Sequence, residues 1–143
     1  MSLDIKNNPE KALKIGIKMA KSNKKFDDPE QIKAIKIALK IAKELIAYKH
    51  YNFAFHITKN FCNIQMGPLK SKAVLAIAQS YLKENQSKFV VKMAMLLVGV
   101  KGKLKVNTAL MLAKMLAKSG KKGEANSIVK SLKENSQANP KSG

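Results

Sequence analysis

Residues 74–82 read VLAIAQSYL, and their apolar side chains recur at intervals of three and four rather than two. An α-helix turns about once every 3.6 residues, so this spacing puts the apolar side chains on one side of a helix. The same spacing recurs upstream in residues 35–45 and downstream in residues 109–116. Because no segment alternates as a β-strand does, the sequence predicts an all-α protein.

This stretch has two counterparts elsewhere in the chain. Ile77-Ala78 aligns with Ile41-Ala42 at an offset of 36 and with Leu112-Ala113 at an offset of 35. The same register then matches three further sets, namely Leu45, Tyr81 and Leu116; Ala54, Val90 and Ala125; and Phe61, Leu97 and Leu132. A period in the mid-thirties built from paired helices is typical of helical solenoids.

Proline, glycine and capping residues mark the helix boundaries. Asn8-Pro9-Glu10 and Asp28-Pro29-Glu30 each supply a capping side chain, a proline at the first helical position and an acid in the first turn. Gly67-Pro68 starts a further helix, and Asn107 or Thr108 is the expected cap of the sixth. Together these signals predict seven helices, at residues 9–22, 29–48, 51–63, 68–84, 87–98, 106–118 and 122–134.

The length of 143 residues favours one domain. We expect a single α-helical repeat domain over residues 1–135, of which residues 1–28 form an N-terminal capping helix and a loop. That first helix should bury Leu13, Ile17 and Ala20, or neighbouring Ile and Met residues, against the second. The polar residues 136–143 are expected to form a flexible tail.

The repeat resembles the tetratricopeptide repeat (TPR) over about residues 34–140. In that family a small residue lies midway along the first helix and a large one three positions later. A glycine often forms the turn, a small residue begins the second helix, and a proline follows it. The last unit matches with Ala113, Leu116, Gly120, Ala125 and Pro140, and the first with Ala42, Leu45, Ala54 and Pro68. The middle unit has Ala78 and Tyr81 but departs at Val90.

The resemblance implies antiparallel helical hairpins stacked as a short right-handed solenoid. An irregular helical bundle with accidental periodicity is the alternative. In the family, the first helices of successive repeats line a concave groove that holds a segment of a partner protein. By register, the partner-binding residues here would be Lys36, Leu39, Lys43, Lys72, Leu75, Gln79, Lys83, Asn107, Leu110, Lys114 and Lys118.

The charge balance indicates the kind of partner. The 28 basic residues are all lysines and face only 9 acidic ones, which gives a net charge of +19. Such a surface attracts polyanions and acidic proteins, although a genome that favours lysine codons would produce the same bias. We therefore expect a non-enzymatic interaction module that binds an acidic peptide or protein segment in the lysine-lined groove.

Non-specific nucleic-acid binding is the competing interpretation, with lysine stripes contacting phosphates. The stripe residues are Lys11, Lys14, Lys18, Lys21, Lys33 and Lys40. Without arginine the chain lacks the usual bidentate reader of guanine. Base stacking is also disfavoured, because most aromatic residues fall at core positions, namely Phe53, Phe61, Tyr81 and Phe89.

A membrane surface is a third, less favoured partner. The first helix alone is cationic and amphipathic, but tryptophan is absent and its apolar side is needed inside the fold. No stretch reaches the ~18 uncharged apolar residues that a membrane span requires. No export signal is evident, and the free Cys62 fits a reducing compartment, so a cytoplasmic location is expected.

Little in the chain suggests catalysis or metal binding. His50 and His56 are six residues apart and do not share a helical face, and no third group is evident to orient a Cys62–His56 pair. Asp27-Asp28 is better explained as a helix cap than as a metal ligand. The methionines of 93–95 and 111–115 are interpreted as adaptable core. We expect no enzymatic activity, no metal and no cofactor.

Overall fold

A computed structural model describes residues 4–22, 28–62, 66–99 and 102–138, with side chains described as far as Asn135. These residues contain seven α-helices and no strand. The helices are α1 (Pro9–Ala20), α2 (Pro29–Ala47), α3 (Tyr51–Phe61), α4 (Pro68–Lys83), α5 (Ser87–Val98), α6 (Lys103–Lys118) and α7 (Lys122–Ala138). The all-α class and the seven predicted helices are confirmed. Helix α7 extends into the segment expected to be a tail, and residues 139–143 lie outside the described residues.

The helix starts lie where the capping signals predict, except at α6, but the Asn8 side chain makes no capping hydrogen bond at the start of α1. The Asp28 carboxylate accepts a hydrogen bond of 2.8 Å from the Glu30 backbone N–H, as a cap of α2 should. Helix α6, however, begins at Lys103 after Gly102, one turn earlier than predicted. The Thr108 hydroxyl donates instead to the Leu104 carbonyl inside the helix, at 2.7 Å, so it is not available as a cap.

Each helix packs against the next one and the one after it in the sequence. Helices α2, α4 and α6 thus contact one another in succession, and we call them the even row. Helices α1, α3, α5 and α7 do the same and form the odd row. Buried apolar residues from both rows form one hydrophobic cluster, which is the core of the described part of the chain.

The connections α2–α3, α4–α5 and α6–α7 turn through the same backbone conformation. One residue in each has a positive φ, and these are Lys49 (68°), Asn85 (58°) and Gly120 (82°). In each turn, the backbone N–H of the residue that follows donates a hydrogen bond of 2.8 Å to a carbonyl oxygen of the preceding helix. The acceptors are the carbonyl oxygens of Leu45, Tyr81 and Leu116. A left-handed residue followed by such a long backward hydrogen bond is the Schellman ending of a helix. The turns are spaced by 36 and 35 residues, like the apolar pattern.

The small residues found by the self-comparison are all in the interior. Ala42, Ala78 and Ala113 are buried, and so are the large residues that follow them three positions later. Ala54, Val90 and Ala125 at the starts of α3, α5 and α7 are buried as well. These positions therefore belong to the hydrophobic core.

Helix α1 buries only part of the predicted stripe. Ala12, Gly16 and Ala20 are buried, while Leu13 and Ile17 are only half-buried. A Cβ at Gly16 would collide with Cδ1 of Ile57 in α3 and would lie 3.4 Å from Cγ2 of Ile41 in α2. The missing side chain thus allows α1 to approach both helices closely, and close approach selects the buried side.

Candidate functional site

The eleven predicted partner-binding residues all lie on the even row, and none of them is buried. Leu39 and Leu75 are half-buried, and the others are exposed, namely Lys36, Lys43, Lys72, Gln79, Lys83, Asn107, Leu110, Lys114 and Lys118. We call the surface that these eleven residues form the outer face. Because α2 contacts α4 and α4 contacts α6, the outer face crosses three neighbouring helices.

Leucine occupies the same register position on each of the three helices. Each of these leucines, Leu39, Leu75 and Leu110, lies three residues before a buried alanine of the repeat. Three residues correspond to about 60° around a helix, so each leucine lies at the border between the core and the outer face. The leucines are the apolar part of this surface, and lysines surround them.

Helix α6 exposes two further large apolar side chains near Leu110 of the outer face. Val106, Leu110 and Met111 are 37%, 38% and 48% exposed. Met111 was predicted to be core, but it lies one residue before the buried Leu112 and thus about 100° around the helix from it. Met93 is buried as predicted, whereas Met95 is exposed.

Charge on the outer face is strongly one-sided. No acidic residue occurs between Glu44 and Glu84 or between Glu84 and Glu124, so α4 and α6 carry lysine without a neutralising carboxylate in the helix. On α2 the surface forms a shallow depression of about 350 Å³, lined by Lys36, Leu39, Lys40, Lys43 and Glu44. Two acids directly follow mapped lysines in the sequence, namely Glu44 after Lys43 and Glu84 after Lys83.

The lysines of the alternative nucleic-acid interpretation are also exposed. Lys11, Lys14, Lys18 and Lys21 lie on or directly after α1, in the odd row, and Lys33 and Lys40 on α2, in the even row. A second shallow depression of about 500 Å³ on α2 is lined by Lys33, Lys36 and Lys40. The rest of its lining is apolar and comes from the same helix.

The aromatic residues are used mainly for packing. Phe61, Tyr81 and Phe89 are buried as predicted, and Phe53 is half-buried. The rings of Tyr81 and Phe89 stack with centroids 4.9 Å apart, and the Tyr81 hydroxyl donates to the Tyr51 carbonyl at 2.7 Å. Burial raises the pKa of Tyr81. These contacts join α3, α4 and α5.

Lysine ammonium groups lie over the outer rings of this aromatic cluster, which sequence reasoning missed. Nζ of Lys92 is 5.1 Å from the Phe89 ring centroid and 5.9 Å from that of Phe55. Such cation–π contacts contribute about 0.5–1 kcal/mol at exposed sites. The lysine and the two rings come from α3 and α5, so the sequence spacing did not indicate that they would lie together.

The candidate nucleophile and metal ligands are not assembled. Cys62 is buried, and burial raises the pKa of its thiol to about 12, with Lys105 opposing the shift. The thiol is therefore uncharged at neutral pH and is a poor nucleophile. His50 stacks on Phe53 with centroids 5.8 Å apart, and His56 is exposed.

Two absences hold for the described part of the chain. Within it, no group of three or more His, Cys, Asp or Glu side chains is placed to hold a metal ion. None of its helices combines the length and the apolar character that crossing a membrane requires. Asp27 lies outside the described residues, while Asp28 caps a helix as predicted.

Two buried lysines were not foreseen. Lys70 is 1% exposed and Lys105 is 4% exposed, and each is the third residue of its helix. Burial lowers the pKa of Lys70. A sequence signal for them exists, because Gly67-Pro68-Leu69-Lys70 and Gly102-Lys103-Leu104-Lys105 share the pattern Gly-X-Leu-Lys at an offset of 35.

The buried lysines belong to a polar seam at the start of the even-row helices. Gln31, Ser71 and Thr108 are buried there as well. The hydroxyls of Ser71 and Thr108 are 2.6 Å apart. Since Thr108 gives its proton to the Leu104 carbonyl, Ser71 is the donor of this bond between α4 and α6.

No protein-family model, curated protein or solved structure matches this chain.

Proposed function

We propose that the protein is a non-enzymatic interaction module whose outer face binds an acidic segment of a partner protein. The observation that carries this proposal is the series Leu39, Leu75 and Leu110, which crosses three adjacent helices and is surrounded by exposed lysines. A partly exposed apolar strip with a charged border is a feature of protein interaction sites. Its occupant presents leucine-like side chains to the strip and carboxylates to the lysines.

We also propose that the helices form a short, right-handed, TPR-like solenoid of three hairpins, with α1 covering one end. The three identical turns at spacings of 36 and 35 residues support this arrangement. So do side-chain hydrogen bonds between residues 37 positions apart, which are Ser71 with Thr108 and Ser87 with Glu124. Contacts to the next helix and the one after it are what stacked hairpins make.

The chemistry of lysine determines how such binding behaves. An ammonium is a strongly hydrated point charge on a flexible stem, so single lysines contribute little and the whole field attracts the partner. Binding therefore depends on salt, because ions screen exposed charges over about 8–10 Å. The apolar strip supplies the part of the affinity that high salt leaves intact. A cytoplasmic location stays a prediction.

Charge reversal on the outer face tests the proposal. The probe is a fluorescent helical peptide with Glu along one side and Leu along the other. Lys83→Glu combined with Lys118→Glu should weaken binding by about tenfold or more at low salt. The matched control, Lys14→Glu with Lys130→Glu, changes the net charge equally but lies on α1 and α7, and it should weaken binding much less. Equal losses in the two double variants would rule out a role for the outer face.

A second variant separates a peptide partner from a nucleic acid. Leu110→Ser removes exposed apolar surface without changing the charge. It should weaken the peptide and leave the binding of a random-sequence DNA duplex unchanged. If instead the duplex binds more tightly than the peptide, and the control variant on α1 and α7 reduces its binding most, the nucleic-acid interpretation replaces this proposal.

A further inference from the structure

Three lysine side chains of the odd row lie over two neighbouring phenylalanine rings. Nζ of Lys92 is 5.1 Å from the Phe89 ring centroid, and Nζ of Lys88 is 5.5 Å from it. Nζ of Lys59 and Nζ of Lys92 are each 5.9 Å from the Phe55 ring centroid. The centroids of Phe55 and Phe89 are 6.1 Å apart. The three ammonium groups therefore lie around one pair of adjacent rings, and we call them the ammonium cluster.

No carboxylate within α3 or α5 neutralises the ammonium cluster, because these two helices contain no Asp or Glu. Lys88 and Lys92 are four residues apart and exposed on one side of α5, where like charges repel each other. Lys59 of α3 adds a third exposed positive charge. The ring faces attract all three cations, which brings together charges that would otherwise separate. An anion bound between the ammonium groups would relieve their repulsion.

Carboxylates border the cluster at the start of α5. The hydroxyl of Ser87, the first residue of α5, donates to the Glu124 carboxylate at 2.9 Å. The Tyr51 hydroxyl donates to the Glu84 carboxylate at 3.5 Å, and the Tyr51 ring centroid is 5.9 Å from that of Phe89. A long polyanion that continued past the cluster on this side would approach both carboxylates. The cluster therefore fits a compact anion better than an extended strand.

We propose that the ammonium cluster binds a compact polyphosphate, which is a small anion with several phosphate groups close together. Each ammonium meets a phosphate oxygen as a point charge with three N–H donors. Three such groups around one pair of rings match several linked phosphates better than a single carboxylate. Lysine already lies over both rings, so they offer little surface on which a nucleotide base could stack. The cluster shares no residue with the outer face and does not depend on the function proposed for it.

Calorimetric titration with tripolyphosphate at constant ionic strength tests the proposal. The wild-type protein should bind it saturably. Lys88→Met combined with Lys92→Met should weaken binding by about tenfold or more, because methionine keeps much of the stem and removes the charge. The matched control, Lys130→Met with Lys133→Met, removes the same charge from exposed positions of α7 in the same row, and it should weaken binding by less than about twofold. Equal weakening by the two double variants, or no saturable binding to the wild type, overturns the proposal.

A measurement on the wild-type protein locates the bound anion without any substitution. The side-chain ε-methylene resonances of Lys59, Lys88 and Lys92 are sensitive to the nearby ring currents, and they should shift together as tripolyphosphate is added. Those of Lys130 and Lys133 are the internal reference and should move little. Equal shifts at all five lysines would show that net charge alone attracts the anion, which overturns the site.

A single-stranded oligothymidylate tests the choice of a compact ligand. It carries the same phosphate chemistry along an extended strand. At equal phosphate concentration it should shift the resonances of the ammonium cluster less than tripolyphosphate does. If the oligonucleotide shifts them more, a nucleic-acid strand replaces the compact polyphosphate as the ligand of this surface.

Discussion

The hairpin α2–α3 and the hairpin α6–α7 turn through the same backbone conformation with different residues. Lys49 holds a φ of 68° in the first, and Gly120 holds 82° in the last. In the left-handed region a side chain clashes with its own backbone at a cost of roughly 1–2 kcal/mol, and glycine avoids the clash. The recurrence of the turn at both places shows that the packing of the two helices dictates it, with or without glycine.

The two hairpins differ also in what covers them. Helix α1 packs on both α2 and α3, and its Gly16 lies against Ile57 and Ile41. On α7, Ile128 is buried but Val129 and Leu132 are only half-buried. Gly123 in the first turn of α7 has open space where its Cβ would be. The first hairpin is therefore held by close packing, whereas the last has a looser outer side.

The largest expected effect comes from filling the close contact of α1. Gly16→Leu should destabilise the protein by about 1–3 kcal/mol or more, because Ile57 and Ile41 leave no room for the side chain. Gly123→Leu is the matched control and should stabilise by up to about 1 kcal/mol through helix propensity. Urea unfolding measures both. Equal effects would show that α1 is not tightly packed.

A double-mutant cycle then identifies the contact. Gly16→Ala places a Cβ against Cδ1 of Ile57, and Ile57→Val removes that methyl group. Together the two changes should cost about 0.5–1 kcal/mol less than the sum of the single costs, since valine removes the methyl group that the new Cβ would strike and the new Cβ fills the space that valine leaves. Ile77→Val in α4 is the control partner and should be additive with Gly16→Ala. Additivity with Ile57→Val as well would contradict the contact.

How much of this the sequence could predict depends on how unambiguous each local signal is. The seven helices can be predicted from the sequence. The apolar spacing shows which segments are helical, and Pro and Gly mark the ends because they act on the backbone directly. The buried side of α1 does not follow, since residues 12–20 carry apolar side chains on both sides and only the close approach at Gly16 decides between them. The start of α6 was missed because Thr108 had a partner inside its own helix.

The candidate sites likewise divide into features that the sequence predicts and features that it does not. The outer face could be mapped from the register, since exposed and buried positions alternate with the helix period. Lys70 and Lys105 could not be recognised as buried, because lysine is ordinarily exposed. The repeated Gly-X-Leu-Lys pattern was the available signal.

An effect smaller than that of Gly16→Leu is expected at the turn of the last hairpin. Gly120→Ala should destabilise by about 1 kcal/mol, because a Cβ is introduced at a φ of 82°. No atom lies within 4 Å of that Cβ, so backbone conformation alone carries the cost. Gly99→Ala, with a φ of -78° and equally open space, is the control and should not destabilise. Thermal unfolding compares the two, and an equal loss at both positions would be inconsistent with the turn described here.

The smallest expected effect is a gain at the turn of the first hairpin. Lys49→Gly relieves roughly 1–2 kcal/mol of steric cost, while the greater freedom of glycine in the unfolded chain removes about 0.5–1 kcal/mol of that gain. A net stabilisation of about 0.5–1 kcal/mol remains. Lys49→Ala deletes the same charge but keeps the Cβ, so it should give no such gain. Asn85→Gly should gain less than Lys49→Gly, because asparagine tolerates the left-handed region better than lysine does. If Lys49→Ala stabilises as much as Lys49→Gly, the relief comes from reduced charge repulsion, and the turn of the first hairpin is unstrained.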